Sequence, residues 1–168
     1  MKKYQCIMFS MVLIPLVLGS CRSTGQYTDS KVKKISSFET DFTQNLWLLA
    51  GYRSEQGFIP LEPEHGSFGK IKFESDGKFS ATSGVNLGNG SWKKGKKVSE
   101  NLYALSLGTI GVTRMAAENE ISAKFDSDFF TLLGKTAYIQ FETDGFKLLD
   151  EKQEQLLYFI FSQNNAIW

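Results

Sequence analysis

The alternation of apolar and polar residues is clearest in the stretch GKIKFESDGKFSATSG, residues 69–84. Ile71 and Phe73 alternate with polar residues, and this period of two is typical of a strand with one buried face. The polar segment SDG follows, and Phe79 then resumes the apolar pattern. Because glycine adopts a positive φ at little cost, Asp76-Gly77 predicts the turn of a β-hairpin.

Further apolar runs separated by turn residues predict more strands. Asp144-Gly145 predicts another tight turn between two of them. The segments that read as strands are NLWLLAGYR, NGSWKKG, NLYALSLGTIGVTRMA, TAYIQFE, FKLLDE and QLLYFIFSQ.

One segment, NEISAKFDSDFFTLLG, changes to a helical period. Asn119 can cap the start of a helix, and Gly134 can end it. The apolar positions recur at i, i+4, i+8 and i+11, which is one helical face. These positions are Ile121, Phe125, Phe129 and Leu132.

The order of elements is strands, one helix, then strands again. Tight turns favour antiparallel pairing of strands that are neighbours in sequence, so we predict an α+β fold class. We expect an antiparallel β-meander sheet packed with one main α-helix at about residues 119–133. The aromatic residues at strand or helix spacing are expected in the core: Phe73, Phe79, Phe125, Phe129, Phe141, Phe159 and Phe161.

The first twenty residues have a different texture, that of a secretory signal peptide. Lys2 and Lys3 precede an apolar run of about a dozen residues, which is shorter than the roughly 20 needed to span a bilayer. The run ends in Leu-Gly-Ser-Cys, which resembles the bacterial lipobox. That resemblance implies cleavage between Ser20 and Cys21, and acylation of Cys21. The alternative is an ordinary secretory signal with an accidental cysteine.

We therefore divide the chain into a lipoprotein signal peptide (1–20), a flexible polar tether that begins at the lipidated Cys21 (21–43) and a folded domain (44–168). Removing residues 1–20 takes away two of the 19 basic residues and none of the 18 acidic ones, so the charge changes from +1 to −1. A near-neutral chain lacks the basic footprint of a nucleic-acid-binding protein. We expect a lipid-anchored protein of the cell envelope, at the outer rather than the inner membrane, with its oligomeric state left open.

Residues 45–163 resemble the META domain family, which includes HslJ-like heat-shock lipoproteins. Trp47-Leu48-Leu49 opens the matching region, and IKFESDGKFSATSGVNLGNGSW resembles the family's strand, Asp-Gly turn and aromatic strand. TRMAAENE, residues 113–120, resembles the segment that leads into the family's helix, and LLD at 148–150 resembles its last hairpin. The resemblance implies a non-enzymatic role in stress tolerance or in outer-membrane assembly.

Two departures from the family pattern occur together. Relatives often carry cysteine where this chain has Val85 and Ala117, and the resemblance implies that those cysteines form a disulfide in relatives. We expect the two positions to remain in contact here.

Residues with catalytic or metal-binding chemistry are sparse. His65 is the one histidine, it lies in a Pro/Gly-rich stretch, and no nucleophile elbow accompanies the many serines. Glu62, Glu64 and His65 lack a recognised ligand spacing. We therefore expect no enzyme activity, no catalytic residue, no metal and no cofactor.

Two functional interpretations remain. The first is a non-enzymatic binding or structural lipoprotein with the membrane and an envelope protein as partners. The alternative is a carrier or sensor of a small apolar ligand in a cavity between helix and sheet. Loops carry function more often than strands, so we expect partner contacts in the segment GVNLGNGSW, at Gly84, Val85, Asn86 and Trp92, as well as at the start of the helix and at the terminal Trp168.

Overall fold

The structure is a computed structural model, and it describes residues 42–62 and 69–162. The predictions made for the signal peptide, for cleavage after Ser20, for Cys21, for His65 and for Trp168 therefore lie outside the described residues.

The described chain is mostly β-structure. A 3-10 helix, Phe42–Gln44, precedes the strands, and one α-helix, α1, spans Glu120–Gly134. The ten strands are β1 (Leu46–Ser54), β2 (Gly57–Pro60), β3 (Lys70–Phe73), β4 (Lys78–Thr82), β5 (Leu87–Ser99), β6 (Leu102–Leu107), β7 (Gly111–Val112), β8 (Tyr138–Phe141), β9 (Gly145–Leu149) and β10 (Gln155–Phe161).

Eight of these strands form a closed antiparallel barrel. The order β3-β4-β5-β6-β8-β9-β10 runs through the sheet, and β1 pairs with both β3 and β10 to close it. Trp47 of β1 lies opposite Ile71 on one side and Phe161 on the other. The short β2 forms a hairpin with β1, and β7 pairs with β5.

The predicted α+β fold class, a meander sheet packed with one main helix, is wrong. The strand segments, the turn with Gly77 at φ +83° and the helix were predicted close to their observed positions. The prediction failed to foresee that the sheet closes into a barrel. Closure requires β1 to pair with β10, the first and last strands in the sequence, and no local pattern of residues encodes that pairing. The helix consequently covers an end of the barrel rather than the face of an open sheet.

The helix packs at one end of the barrel, which we call the helix end. The rings of Phe125 and Tyr52 of β1 meet edge to face, with centroids 5.2 Å apart. A Cβ on Gly69, just before β3, would approach Leu49 to 2.8 Å and Phe129 to 3.2 Å. The close contact between the helix and these strand ends therefore requires glycine at position 69.

The other end of the barrel, which we call the Phe42 end, is covered by the 3-10 helix. The Phe42 ring packs against the rings of Phe73, Trp92 and Phe141, with centroids 5.1–5.4 Å apart. The indole of Trp47 donates a hydrogen bond to the carbonyl of Phe42 at 2.8 Å. This contact fixes the point at which the chain joins the barrel.

Aromatic side chains fill the interior between the two ends. Trp47, Phe146 and Phe159 have no exposed surface, and the rings of Phe146 and Phe159 stack with centroids 5.3 Å apart. The predicted core aromatics are confirmed: five are buried, while Phe125 and Phe161 are half-buried against the core. Among the described residues, no helix is long and apolar enough to cross a bilayer.

Candidate functional site

The helix end carries a pocket with a volume of about 550 Å³. Three pieces of backbone surround it: the loop between β4 and β5, the segment that leads into α1, and the first two turns of α1. Its lining is mainly apolar, as in many small-molecule sites. It consists of Tyr52, Leu61, Ser83, Gly84, Val85, Met115, Ala116, Ala117, Glu118, Ile121, Ser122 and Phe125.

Two large apolar side chains of the pocket face solvent. Met115 is 64% exposed, and Ile121 is 83% exposed. Ile121 shares a helical face with Phe129, but the barrel leaves its side chain in the first turn of α1 uncovered. Phe129 and Leu132, further along the same face, are buried as predicted. An exposed apolar patch beside a pocket is typical of a binding surface.

The wall on the barrel side is held by one buried amide, that of Asn86. The Asn86 side-chain oxygen accepts hydrogen bonds from the Met115 backbone N–H at 2.7 Å and from the Thr113 hydroxyl at 2.9 Å. Its side-chain nitrogen donates to Asp126 Oδ2 of α1 at 2.8 Å. Asn86 thus connects the β4–β5 loop to both the segment before the helix and the helix itself.

Asp126 completes this network from the helix side. Its Oδ1 accepts hydrogen bonds from the Ser83 hydroxyl and from the Asn86 backbone N–H, the latter at 3.2 Å. The Ser83 hydroxyl oxygen in turn accepts from the backbone N–H groups of Val85 and Asn86, both at 3.2 Å. Because the donors and acceptors are matched, the loop is held in one conformation and the pocket wall is preorganised.

Two carboxylates lie at the start of the helix beside the pocket. Glu118 is the one ionisable carboxylate in the lining, and Glu120 lies in the first turn of the helix. Lys124 pairs with Asp128 at 2.9 Å, and this hydrogen bond raises the pKa of the Lys124 ammonium. Within residues 42–62 and 69–162, no group of three or more His, Cys, Asp or Glu is arranged to hold a metal ion.

The structure brings together some of the predicted contact residues and separates others. Gly84 and Val85 line the pocket, whereas Asn86 is buried behind it. Trp92 lies at the Phe42 end, where its ring packs on Phe73 and its indole donates to the carbonyl of Glu74 at 2.9 Å. Trp92 is therefore part of the core at that end rather than part of the pocket.

The two positions that relatives often fill with cysteine, Val85 and Ala117, both line this pocket. They come from the β4–β5 loop and from the segment before α1. Direct contact of their side chains stays a prediction.

Sequence reasoning missed Asp126, Thr113 and Met115 as parts of the site, whereas the start of the helix, which carries Ile121, was among the expected contact surfaces. One signal was available: Asp126 lies beside the apolar face of the helix, where a carboxylate needs a partner.

The contact between the middle of α1 and β1 is filled by side chains, so it leaves no cavity of the kind that the ligand-carrier interpretation places between helix and sheet. Phe129 and Leu133 of α1 and Leu49 of β1 have no exposed surface. The pocket lies beside the first turns of α1 instead of beneath the helix.

Among the comparisons with known proteins, the family model identifies the domain. A family model described as META domain matches residues 40–162. No curated protein matches the chain. A protein from Burkholderia xenovorans solved by NMR superposes with a TM-score of 0.54 at 21% identity, covering 76% of this chain and 88% of that one, which shows the fold alone. A DUF4847 family protein from Bacteroides vulgatus superposes with a TM-score of 0.48 at 14% identity, covering 76% and 99% of the two chains.

Proposed function

The chain belongs to the META domain family, and on this premise we propose that it is a membrane-anchored envelope lipoprotein whose folded domain is a non-enzymatic binding module. The pocket at the helix end is the binding site. Its ligand is an apolar group presented by another envelope protein, and the biological role is in stress tolerance or outer-membrane assembly.

The assignment of the binding site rests on the exposure of Ile121 and Met115 at the rim of a pocket of about 550 Å³. Large side chains at this exposure contribute little to the stability of the domain, but they present apolar area to a partner. Behind them the pocket wall is preorganised through Asn86, which lowers the entropic cost of binding.

The lipid anchor rests on Cys21 and on the lipobox-like residues before it. Several acyl chains hold a protein firmly at a bilayer, because each buried CH₂ contributes about 0.8 kcal/mol. Residue 22 is arginine rather than aspartate, which by analogy with lipoprotein sorting in enteric bacteria permits the outer membrane as the location. Cys21→Ser should leave an uncleaved or unanchored precursor, and a variant that is processed and partitions like wild type would overturn the anchor.

The pocket is tested by photo-crosslinking in intact cells from a benzoyl-phenylalanine placed at Ile121. We expect an adduct of one discrete mass. Ala117→Trp, which fills the pocket from its lining, should abolish that adduct. Val98→Trp is the matched control, because Val98 is 50% exposed on β5 and is not part of the pocket lining.

An adduct that survives Ala117→Trp unchanged, or no adduct in cells that contain the folded protein, would contradict the binding site. Circular dichroism of the purified variants shows whether each one is folded.

A second candidate function is that of a carrier or sensor of a small apolar ligand. The pocket volume favours it, since ligand sites commonly measure about 300–1,000 Å³. In the same experiment, an adduct that carries a lipid or another small molecule instead of a protein would favour the carrier.

A further inference from the structure

The second half of β5 contains an unusual concentration of positive charge. Lys93, Lys94, Lys96 and Lys97 fall within five residues, and Lys93, Lys96 and Lys97 are exposed. One acidic residue, Glu100, follows at the β5–β6 turn. We call residues 93–97 the lysine hairpin segment.

These lysines keep their charge available to a partner. In the part of the chain that the structure describes, none of the four forms an ion pair, and the carboxylates of Asp76 and Glu142 in the β3–β4 and β8–β9 turns are paired with other lysines. Asp76 pairs with Lys78 at 2.8 Å, and Glu142 pairs with Lys147 at 2.7 Å.

Two of the ammonium groups converge on one aromatic ring. The Nζ of Lys94 lies 4.7 Å from the ring centroid of Tyr103, and the Nζ of Lys97 lies 5.6 Å from the same centroid. Because the ring is neutral, the two positive charges remain uncompensated. The packing on Tyr103 nevertheless restrains the lysine stems, so the charges are displayed together.

The segment also has a defined position on the barrel. Lys78, the first residue of β4, pairs with Ser91, so β5 continues beyond β4 at the Phe42 end. The chain joins the barrel at that same end, through Phe42. The pocket lies at the opposite, helix end.

We propose that the lysine hairpin segment docks the domain on a bilayer that contains anionic lipids, through the phosphate groups of the lipid heads. A lysine near an anionic membrane surface contributes attraction that decays within a Debye length. The docked domain lies with its Phe42 end on the membrane and presents the pocket to the aqueous side. The electrostatic contact goes beyond the proposed function, while the orientation rests on the proposed anchor at Cys21.

The test uses the full chain, purified with its membrane anchor and reconstituted into nanodiscs. A fluorophore on Ser99→Cys reports the position of the lysine hairpin segment relative to the membrane. A second fluorophore, on Ile121→Cys, reports the position of the helix end. A lipid that carries a quencher in its head group measures the proximity of each probe to the surface.

With phosphatidylglycerol present, we expect quenching of the Ser99→Cys probe and none of the Ile121→Cys probe. Quenching should be lost in pure phosphatidylcholine and at about 1 M salt, where the Debye length falls to about 3 Å. Lys96→Gln with Lys97→Gln should lower the equilibrium constant for docking by about 25-fold, because each lysine near such a surface contributes roughly a fivefold gain. Lys135→Gln with Lys152→Gln is the charge-matched control, since both residues are exposed at the helix end.

Several results would overturn the proposal. One is quenching of the Ser99→Cys probe that is the same with and without anionic lipid. Another is quenching that falls as much in the Lys135/Lys152 variant as in the Lys96/Lys97 variant. Displacement by millimolar inorganic phosphate at constant ionic strength would assign the lysines to a soluble anion. Lysines also protect exposed strand edges from aggregation, so a Lys96/Lys97 variant that aggregates but docks normally would assign them to that role instead.

Failure of the anchor gives a different result. Intact mass reports the acylation of Cys21, and co-elution with the nanodisc reports attachment. If the chain is acylated and attached but the Ser99→Cys probe is unquenched, docking through the lysine hairpin segment is wrong and the anchor stands. If the chain carries no acyl groups, only the proposed anchor at Cys21 is wrong.

Discussion

The side-chain amide of Asn86 and the carboxylate of Asp126 join the barrel to its helix, with Nδ2 and Oδ2 2.8 Å apart. Asn86 is 6% exposed, so its polar atoms depend on protein partners. A carboxylate that accepts hydrogen bonds from buried donors offsets the cost of its own desolvation. The pair therefore sets the distance between the β4–β5 loop and α1, and with it the width of the pocket.

Asn86→Asp should destabilise the domain by about 2–4 kcal/mol at pH 7, because it removes a buried donor and places a second carboxylate beside Asp126. The two adjacent carboxylates repel each other in the folded state, and protonation of either one relieves that repulsion. The stability deficit should accordingly shrink as the pH falls toward 4, which urea denaturation at several pH values would measure.

The swap variant Asn86→Asp with Asp126→Asn is the matched control. Asp at 86 can still accept from Met115 and Thr113, and Asn at 126 can donate back to it. The swap should recover most of the lost stability. If the swap is as unstable as Asn86→Asp alone, the pairing between the two residues is not what stabilises this interface.

Two apolar positions of α1 should respond differently to truncation. Phe129→Ala should cost about 3–5 kcal/mol, because Phe129 is fully buried between the helix and the barrel. Ile121→Ala should change stability by less than about 0.5 kcal/mol, since the side chain is exposed. Thermal denaturation measures both variants, and a large loss in Ile121→Ala would show that this residue belongs to the core.

Glycine 145 is required by close packing. A Cβ at Gly145 would collide with the backbone carbonyl of Phe159 on β10, and backbone cannot move aside cheaply. Gly145→Ala should therefore destabilise by at least about 2 kcal/mol. Gly134→Ala, where nothing lies within 4 Å of the new Cβ, should be neutral or stabilise α1 by up to about 1 kcal/mol. Equal effects of the two substitutions would contradict the close contact at β9–β10.

Tyr158 should give the domain an alkaline pH dependence. Burial raises the pKa of the phenol above its usual 10, and the hydrogen bond of its hydroxyl to Asp144, at 2.6 Å, raises it further. A folded-state pKa above the unfolded value contributes stability that is fully present below about pH 10 and is lost as pH rises through the folded pKa.

Tyr158→Phe tests this dependence. The difference in unfolding free energy between wild type and variant should be constant below about pH 10 and should close above it. When the tyrosines are titrated by phenolate absorbance, the Tyr158→Phe variant should lack one transition, whose midpoint in wild type lies above the usual tyrosine pKa. A wild type and variant with parallel stability curves through the alkaline range would contradict the role of the hydroxyl.

Local patterns in the sequence predicted most of the elements. Alternation at Ile71 and Phe73 indicated β3, Asp76-Gly77 indicated the turn, and the spacing from Asn119 to Gly134 indicated the helix. Each of these depends on residues that are close in sequence. Closure of the barrel depends on β1 and β10, which are brought together only when every intervening strand has paired.

The candidate site was predicted in part for the same reason. Gly84 and Val85 were chosen because they lie in a glycine-containing loop, and a loop is visible in the sequence. Asp126 and Thr113 were not chosen, because their role arises from hydrogen bonds to Asn86 across gaps of 40 and 27 residues. Trp92 was assigned to a surface, but packing at the Phe42 end half-buries it.

The sequence by itself determined the family resemblance and the position of nearly every strand and of the helix, because short-range periodicity and turn chemistry govern these features. Tertiary structure alone decided that the sheet closes, that Ile121 faces solvent while Phe129 is buried on the same helix, and that a pocket forms at the helix end. The physical reason is that burial is a property of the assembled fold. A helical period shows which residues share a face, but the length of barrel wall beneath the helix decides how much of that face is covered.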